Sequence, residues 1–168
     1  MFRIITLSIF AAVLSSQAAR AQAPTQTGAP TVRSTPSEPF KFLSHQDLAT
    51  ILMTPERGRV YSGHVVNDHE NYYVEFVKRL DNGNMVEVHS NWHDFITVLS
   101  GDGSVSYGGT VNGADQTGPG ETRGGTMSGG TTKALHPGDY IQIPAGMPHK
   151  IDAAAGQQLN YVIFKVRQ

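Results

Sequence analysis

The chain has 168 residues, a formal net charge of −1 and no cysteine. Without cysteine the fold must rest on its core, and both a cysteine zinc site and a thiol nucleophile are excluded. Its Lys and Arg residues form no basic cluster, so nucleic acid is not expected as a partner. The 18 glycines, 9 prolines and short apolar runs predict an all-β domain with many turns.

The N-terminal segment, residues 1–23, is interpreted as a secretory signal peptide. Arg3 precedes an apolar run over residues 4–14, and Ala19-Arg20-Ala21 and Ala21-Gln22-Ala23 both fit a cleavage site. The apolar run is too short for a permanent membrane helix, which needs about 20 residues. We therefore expect a periplasmic or secreted protein with no membrane contact after cleavage.

A linker and one domain are predicted to follow. Residues 24–43 are rich in Pro, Thr, Ser and Gln and are expected to be disordered. Residues 44–168 are assigned to a single domain with its barrel core at 58–167. A short helix is expected over Ser44–Met53, because Ser44 can cap it, Asp47 suits its first turn and Pro55 stops it.

From residue 60 onward the pattern indicates strands, roughly eight or nine in all, and hence a β-sandwich or small antiparallel barrel. Turn signals at 81–84 and 100–103 predict hairpins joining the strands on either side. The Gly-rich stretch 108–130 is expected to be a long, mobile loop near the site, with one short strand around 122–127. It reads equally as a functional loop or as a surface insertion. The main predicted strands are 60–66, 72–79, 85–89, 95–99, 104–107, 140–143 and 159–166.

The most specific motif in the chain runs from Gly138 to His149. Gly138 is followed by five residues, then Pro144-Ala145-Gly146, then two residues and His149. Turns at both ends frame a strand, and Pro148 keeps the residue before it extended. This segment resembles the second sequence motif of the cupin superfamily, whose barrel carries that histidine on its inner face.

The first cupin motif reads His-x-His, a Glu and a Gly in that order, and the stretch 87–101 resembles it in part. Aligned on Gly101, the sequence places Asp94 at the Glu position, His89 at the second His and Glu87 at the first. An Asn expected after His149 is replaced by Ala153. The resemblance spans roughly residues 60–166, and it implies a jelly-roll barrel with a metal held by His89, Asp94 and His149.

The same residues form a chemically sensible set by themselves. Glu87 and His89 are two apart on a strand and therefore share a face. Two imidazoles with a carboxylate suit a divalent transition metal such as Fe, Mn, Ni, Cu or Zn, and Glu87 would add a fourth ligand. The alternative is a metal-free barrel in which these groups bind a ligand or each other.

Neighbouring residues leave further alternatives. His93 adjoins Asp94, and a bulge would let it replace Asp94 as a ligand. Trp92 could wall a pocket, although ordinary packing is the simpler interpretation. The remaining histidines have no partner at ligand spacing and are expected at the surface or in turns: His45, His64, His69 and His136.

Two functions are compatible with the sequence. The first is a metal-dependent enzyme of oxygenase, isomerase or lyase type on a small organic molecule, a range that the cupin resemblance implies, with Glu87 or Asp94 moving a proton. The second is a non-catalytic module that binds a small ligand. The resemblance also allows a homodimer.

Overall fold

The computed structural model describes residues 40–53, 61–80 and 84–168. Lys41–Gln168 form one compact unit, and the unit Met1–Phe40 lies outside the described residues except for Phe40. The predicted signal peptide and residues 24–39 of the predicted linker therefore stay predictions. Within the described residues, no helix has the length and apolar character needed to cross a membrane.

The described chain contains one helix, α1 (His45–Met53), with the predicted cap at its start. Ser44 and Asp47 bond reciprocally, because the Asp47 N–H donates to Ser44 Oγ at 3.1 Å and the Ser44 N–H donates to Asp47 Oδ2 at 2.8 Å. This capping box satisfies N–H groups that the first helical turn leaves without partners. It also holds the pKa of Asp47 below its ordinary value, through the Ser44 hydroxyl first and its backbone second.

Eleven strands form two antiparallel sheets in the described residues, which confirms the all-β, barrel-like fold class. The first sheet has the order β1-β2-β11-β4-β9 and the second β6-β7-β3-β10-β5-β8. The strands are β1 (Tyr61–Asp68), β2 (Tyr72–Leu80), β3 (Glu87–His89), β4 (Trp92–Ser100), β5 (Gly103–Tyr107), β6 (Thr110–Gly118), β7 (Glu121–Ser128), β8 (Thr131–Leu135), β9 (Tyr140–Ile143), β10 (His149–Ala153) and β11 (Gln158–Arg167).

Alternation along the strands divides the barrel interior into an apolar part and a charged part. On β4, the inward positions 94, 96 and 98 are buried, whereas 95 and 97 are partly open. Ile96 and Val98 join the apolar core, but the equally inward Asp94 does not. That core consists of Val77, Ile96, Val98, Val105, Leu135, Ile143, Ile151, Ala153, Leu159, Tyr161 and Ile163.

The Gly-rich stretch 108–130 is not the irregular loop that its composition predicts. It contains β6 and β7, which pair with each other, and β7 also pairs with β3. Most β6 side chains are exposed, so the alternation that normally reveals a strand is missing. Gly113 and Gly125 have positive φ and form no bridge pair, but the pairs on either side of them, Asn112 with Thr126 and Ala114 with Gly124, keep the same register.

The hairpins predicted at 81–84 and 100–103 are also wrong, because the strands on either side of each turn do not pair with each other. The strands β2 and β3 lie in different sheets, and so do β4 and β5. Each connection therefore crosses between the sheets instead of folding a strand back on its neighbour. Residues 81–83 themselves lie outside the described residues.

Candidate metal and ligand site

Three strands bring the candidate site residues together inside the barrel. Glu87 and His89 lie at the two ends of β3 and share its inner face. His149 opens β10 and is directly opposite Glu87 in the ladder between these strands. Asp94, only 1% exposed, faces them from β4 in the other sheet.

The Pro-x-Gly turn predicted from the sequence fixes the position of this pair of strands. The Gly146 N–H donates to the His89 carbonyl at 2.9 Å, and the Met147 N–H closes the turn on Pro144 at 3.1 Å. Gly146 has a φ of 78°, which a side chain would disfavour. The turn thus ties the start of β10 to the end of β3.

Four potential donor atoms converge on one point. His89 Nε2 lies 3.4 Å from Glu87 Oε2 and 3.7 Å from Asp94 Oδ2. His149 Nε2 lies 3.5 Å from the same Asp94 oxygen and 3.9 Å from the same Glu87 oxygen. Donors about 2.1 Å from a common metal ion are about 3–3.5 Å apart, so the observed separations approach those of a coordination shell.

The outer nitrogen of each imidazole is held by an acceptor. His89 Nδ1 lies 2.6 Å from Glu121 Oε2, and His149 Nδ1 lies 3.0 Å from the Met147 carbonyl oxygen. A carboxylate and a carbonyl can only accept, so both Nδ1 atoms must donate their proton. In a neutral ring the lone pair then resides on Nε2, which is the atom that faces the centre.

His89 Nε2 is buried and has no hydrogen-bond partner in the described structure. A buried polar atom without a partner costs free energy unless something supplies the missing contact. Burial foremost lowers the pKa of His149, against the opposing effect of Asp94, so that ring is neutral at neutral pH. The Nε2 atoms of both rings and one oxygen of each carboxylate therefore surround a single point that a bound cation would satisfy.

Each carboxylate directs one oxygen to the centre and commits the other to a cation. Glu87 Oε1 accepts from Arg123 at 2.6 Å and lies 3.7 Å from Arg79. Asp94 Oδ1 forms an ion pair with Lys165 Nζ at 3.0 Å. Burial alone would raise the pKa of Glu87, but His89 and the two guanidinium groups outweigh it and hold that pKa well below its ordinary range. Glu87 is therefore ionised at neutral pH.

The site opens into a cavity of about 210 Å³ between β2 and the strands β3 and β7. Two phenols line it, and both stay protonated: burial raises the pKa of Tyr73 far above its usual value and that of Tyr161 to about 12. Tyr161 accepts a hydrogen bond from Arg79 Nε at 2.7 Å. The charged groups on the walls are Glu75, Arg79, Glu87, Asp94, Arg123 and Lys165.

His93 stays outside the site. Its Nδ1 accepts a hydrogen bond from the Ala145 N–H at 3.1 Å, and its ring lies beside Phe95. No bulge brings it to the position of Asp94, because Asp94 and His93 are in regular register with Lys165 and Val166. Trp92 packs against the Tyr73 ring in an edge-to-face arrangement with centroids 5.5 Å apart, so it contacts a residue of the cavity wall.

Five charged residues of the site and its cavity were not foreseen from the sequence: Glu75, Arg79, Glu121, Arg123 and Lys165. Glu121 and Arg123 are in the stretch read as a loop, 32 and 36 residues from their partners. Only the pairing of β7 with β3 places Glu121 opposite His89 and Arg123 opposite Glu87. Alternation on the predicted strand 72–79 could have indicated that Arg79 shares a face with Tyr73 and Val77.

The residues present fit a metal ion. Ligand atoms of Glu87, His89 and His149 lie within 4.8 Å of one another, and all three residues are buried or nearly so. Asp94 stands against both imidazoles but shares its charge with Lys165. Two imidazoles and one or two carboxylates form a donor set that divalent transition metals favour.

No known protein family matches this sequence, and no curated protein does. Solved structures do resemble the fold. A double-stranded β-helix protein from Klebsiella pneumoniae is 17% identical with a TM-score of 0.54, over 76% of this chain and 90% of its own. The chain has a cupin-type fold.

Two further structures are similar to this cupin-type chain. A protein from Thermus thermophilus is 17% identical with a TM-score of 0.50, over 72% of this chain and 94% of its own. A cupin superfamily protein from Desulfitobacterium hafniense is 14% identical with a TM-score of 0.49, over 72% and 88%. At these identities the similarity concerns the fold alone, so the function must be argued from the site.

Proposed function

We propose that this chain is an exported, metal-dependent cupin enzyme that acts on a small polar organic molecule. The observation that carries the proposal is the convergence of two imidazole Nε2 atoms and two carboxylate oxygens on one buried point. The unpartnered Nε2 of His89 supports it, because an ion at that point would satisfy it. Export rests on the signal-peptide pattern of residues 1–23.

Glu87, His89 and His149 would hold the metal, and Asp94 would be a fourth ligand or the proton acceptor. A bound divalent ion supplies Lewis acidity to a substrate oxygen. Glu87 is suited to coordination because its pKa is held low and it remains ionised. Asp94 directs Oδ2 to the same point, and Lys165 compensates the buried charge of its ionised form, which is the form that coordinates a metal or accepts a proton.

The cavity walls favour a polar substrate of modest size. Arg123 has a side chain 40% exposed at the opening, whereas Arg79 and Lys165 are each 7% exposed. Tyr73 and Tyr161 offer protonated hydroxyl groups. A small molecule with oxygen functions would find hydrogen-bond partners on several sides, and the apolar core closes the far end.

Metal content measured on purified wild type and four variants tests the proposal. After loading with Zn²⁺, Mn²⁺, Fe²⁺ or Ni²⁺ and desalting, we expect about one ion per chain in wild type. His149→Ala and Glu87→Gln should lose most of it, because each removes a donor from a small set. Asp94→Asn should weaken binding, and His93→Ala, the matched histidine control, should retain it. Wild type that holds no metal under any of these conditions would refute the proposal.

A non-catalytic ligand-binding module is the second candidate, and one observation favours it. Glu87 and Asp94 already have cationic partners in Arg123 and Lys165, so the cavity is partly charge-compensated by the protein itself. Under this alternative the cavity would bind small polar ligands in the presence of chelator, with no metal requirement. Calorimetric titration with and without chelator separates the two functions.

A further inference from the structure

Strand β7 carries two charged residues, and each of them contacts one of the candidate metal ligands on β3. In the β3–β7 ladder, Glu121 is opposite His89 and Arg123 is opposite Glu87. Both contacts are short: 2.6 Å from Glu121 Oε2 to His89 Nδ1 and 2.6 Å from Arg123 to Glu87 Oε1. The hairpin β6–β7 therefore reaches the site through side chains that touch its donors from outside.

We infer that Glu121 is a positioning residue, which holds the Nδ1 proton of His89 and so presents Nε2 to the site. The inference rests on the proposed metal function for its purpose, but its structural content does not need a metal. The His89 side chain is 4% exposed, and the described structure offers its Nε2 no hydrogen bond. Glu121 is thus the only group in the described part of the chain that fixes the orientation of this ring by a hydrogen bond.

The charges around Glu121 support this role. Its side chain is 28% exposed, and Arg123 Nη2 lies 3.6 Å from the same oxygen that contacts His89. A carboxylate offers only acceptor oxygens, and a hydrogen bond that it accepts is charge-assisted and stronger than one between neutral groups. A carboxylate on the far nitrogen also makes a ligating imidazole more basic, and its loss typically lowers metal affinity 10- to 100-fold.

The consequences differ for two substitutions at the same position. Glu121→Ala removes the acceptor, so the ring can rotate and the Nδ1 proton can exchange between the two nitrogens. Glu121→Gln keeps a carbonyl oxygen that can accept the Nδ1–H, although it is less basic. The conservative variant should therefore rescue most of the effect, which simple loss of packing would not predict.

The experiment combines ring-nitrogen NMR of the metal-free protein at about pH 8 with Zn²⁺ affinity from competition with a chromophoric chelator. In wild type we expect His89 protonated at Nδ1, with affinity roughly 10- to 100-fold above that of Glu121→Ala. Glu121→Gln should keep the Nδ1–H form and stay within about tenfold of wild type. Glu70→Ala, which removes an exposed carboxylate between β1 and β2, is the charge-matched control and should change neither quantity.

The two measurements separate failure of this inference from failure of the proposed function. An unprotonated Nδ1 in wild type, or an Nδ1–H form unaffected by Glu121→Ala, would overturn the positioning role. Wild type that binds no Zn²⁺ but shows the Nδ1–H form, lost only in Glu121→Ala, would support the role while refuting the metal function. If Glu121→Ala fails to fold by circular dichroism, Glu121→Asp, whose shorter side chain draws the acceptor away, gives the same reading.

Discussion

At the scale of single residues, the interior depends on buried charges that occur in pairs. Lys165 and Asp94 lie side by side in the β11–β4 register, with side chains 7% and 1% exposed. Breaking such a pair on one side leaves the other charge buried and uncompensated. Breaking an ion pair that water can reach costs much less, because water solvates the remaining charge.

Lys165→Met should destabilise the protein by about 3–5 kcal/mol in the absence of metal, because it leaves Asp94 without its cation. The matched control is Lys150→Met. Lys150 pairs with Asp152 at 3.0 Å but is 31% exposed, so its loss should cost under about 1 kcal/mol. Urea unfolding of both variants in chelator measures the difference. Equal midpoints would show that Asp94 is not held as a buried carboxylate.

A pH-dependent pair at the surface gives a prediction with a definite sign. His136 Nδ1 lies 2.8 Å from Asp102 Oδ1, and this hydrogen bond raises the pKa of His136 above its ordinary value. A raised folded pKa means that the stabilisation is fully present below the unfolded pKa of about 6.5 and is lost as pH rises through the folded pKa. NMR titration should show the pKa of His136 above the ordinary histidine value of about 6.5, and Asp102→Asn should lower it toward that value.

The candidate ligands could be predicted at this scale because they follow a motif. His89, His149, Asp94 and Glu87 all come from the cupin-like spacing, and the structure brings them to one point. The motif spacing could not show which of Glu87 and Asp94 is better suited to bind a metal. That difference depends on their cationic partners, Arg123 and Lys165, which are not part of the motif. Glu121 carried no signal, because a lone Glu among Gly and Thr residues resembles any surface carboxylate.

At the scale of elements, turn chemistry predicts where the chain bends but not what it joins. Gly101, at the end of β4, has a φ of 80°, as a tight turn requires. The turn nevertheless leads from one sheet to the other, so β5 pairs with β10 and β8 instead of β4. Strands β2, β9 and β11 were predicted nearly at their observed bounds because their apolar residues alternate or run continuously.

Glycine at position 101 is required for space as well as for conformation. A Cβ there would overlap the Gln158 carbonyl oxygen at the start of β11, whereas at Gly138, with a φ of 91°, it would meet nothing within 4 Å. Gly101→Ala should therefore cost about 2–5 kcal/mol, the sum of overpacking and left-handed strain, and Gly138→Ala about 1–2 kcal/mol. Denaturant midpoints of the two variants test this ranking, and a reversed order would contradict it.

At the scale of the whole molecule, the barrel interior consists of an apolar core and a charged cavity, and the two affect stability in different ways. The apolar core stabilises the fold by excluding water, and the charged cavity beside it loses stability wherever a donor is left without a partner. Nine polar or charged residues are buried in the described structure, namely Glu75, Lys78, Arg79, Asn84, His89, Asp94, His149, Asn160 and Lys165. A cation in the cavity would stabilise the charged cavity and would leave the apolar core unchanged.

Metal binding should therefore raise the stability of the folded domain. A ligand that binds only the folded state at 100 times its Kd adds about 2.7 kcal/mol. For domains of this size that corresponds to a rise in Tm of roughly 5–20 °C. His149→Ala should unfold at the same Tm with and without metal, because its site lacks one of the donors, whereas His93→Ala should respond like wild type.

Calorimetry in saturating Zn²⁺ and again in excess chelator measures this rise, and the chelator should reverse it completely. A rise of equal size in His149→Ala would mean that the ion binds elsewhere on the chain, for example at the exposed His136–Asp102 pair. Two further variants distinguish binding at this surface pair from binding at the buried centre. If the ion binds at the surface pair, Asp102→Asn should abolish the rise in Tm and Glu87→Gln should preserve it. In the proposed arrangement the pattern is the opposite, since Glu87 directs Oε2 to the buried centre and Asp102 lies outside the cavity.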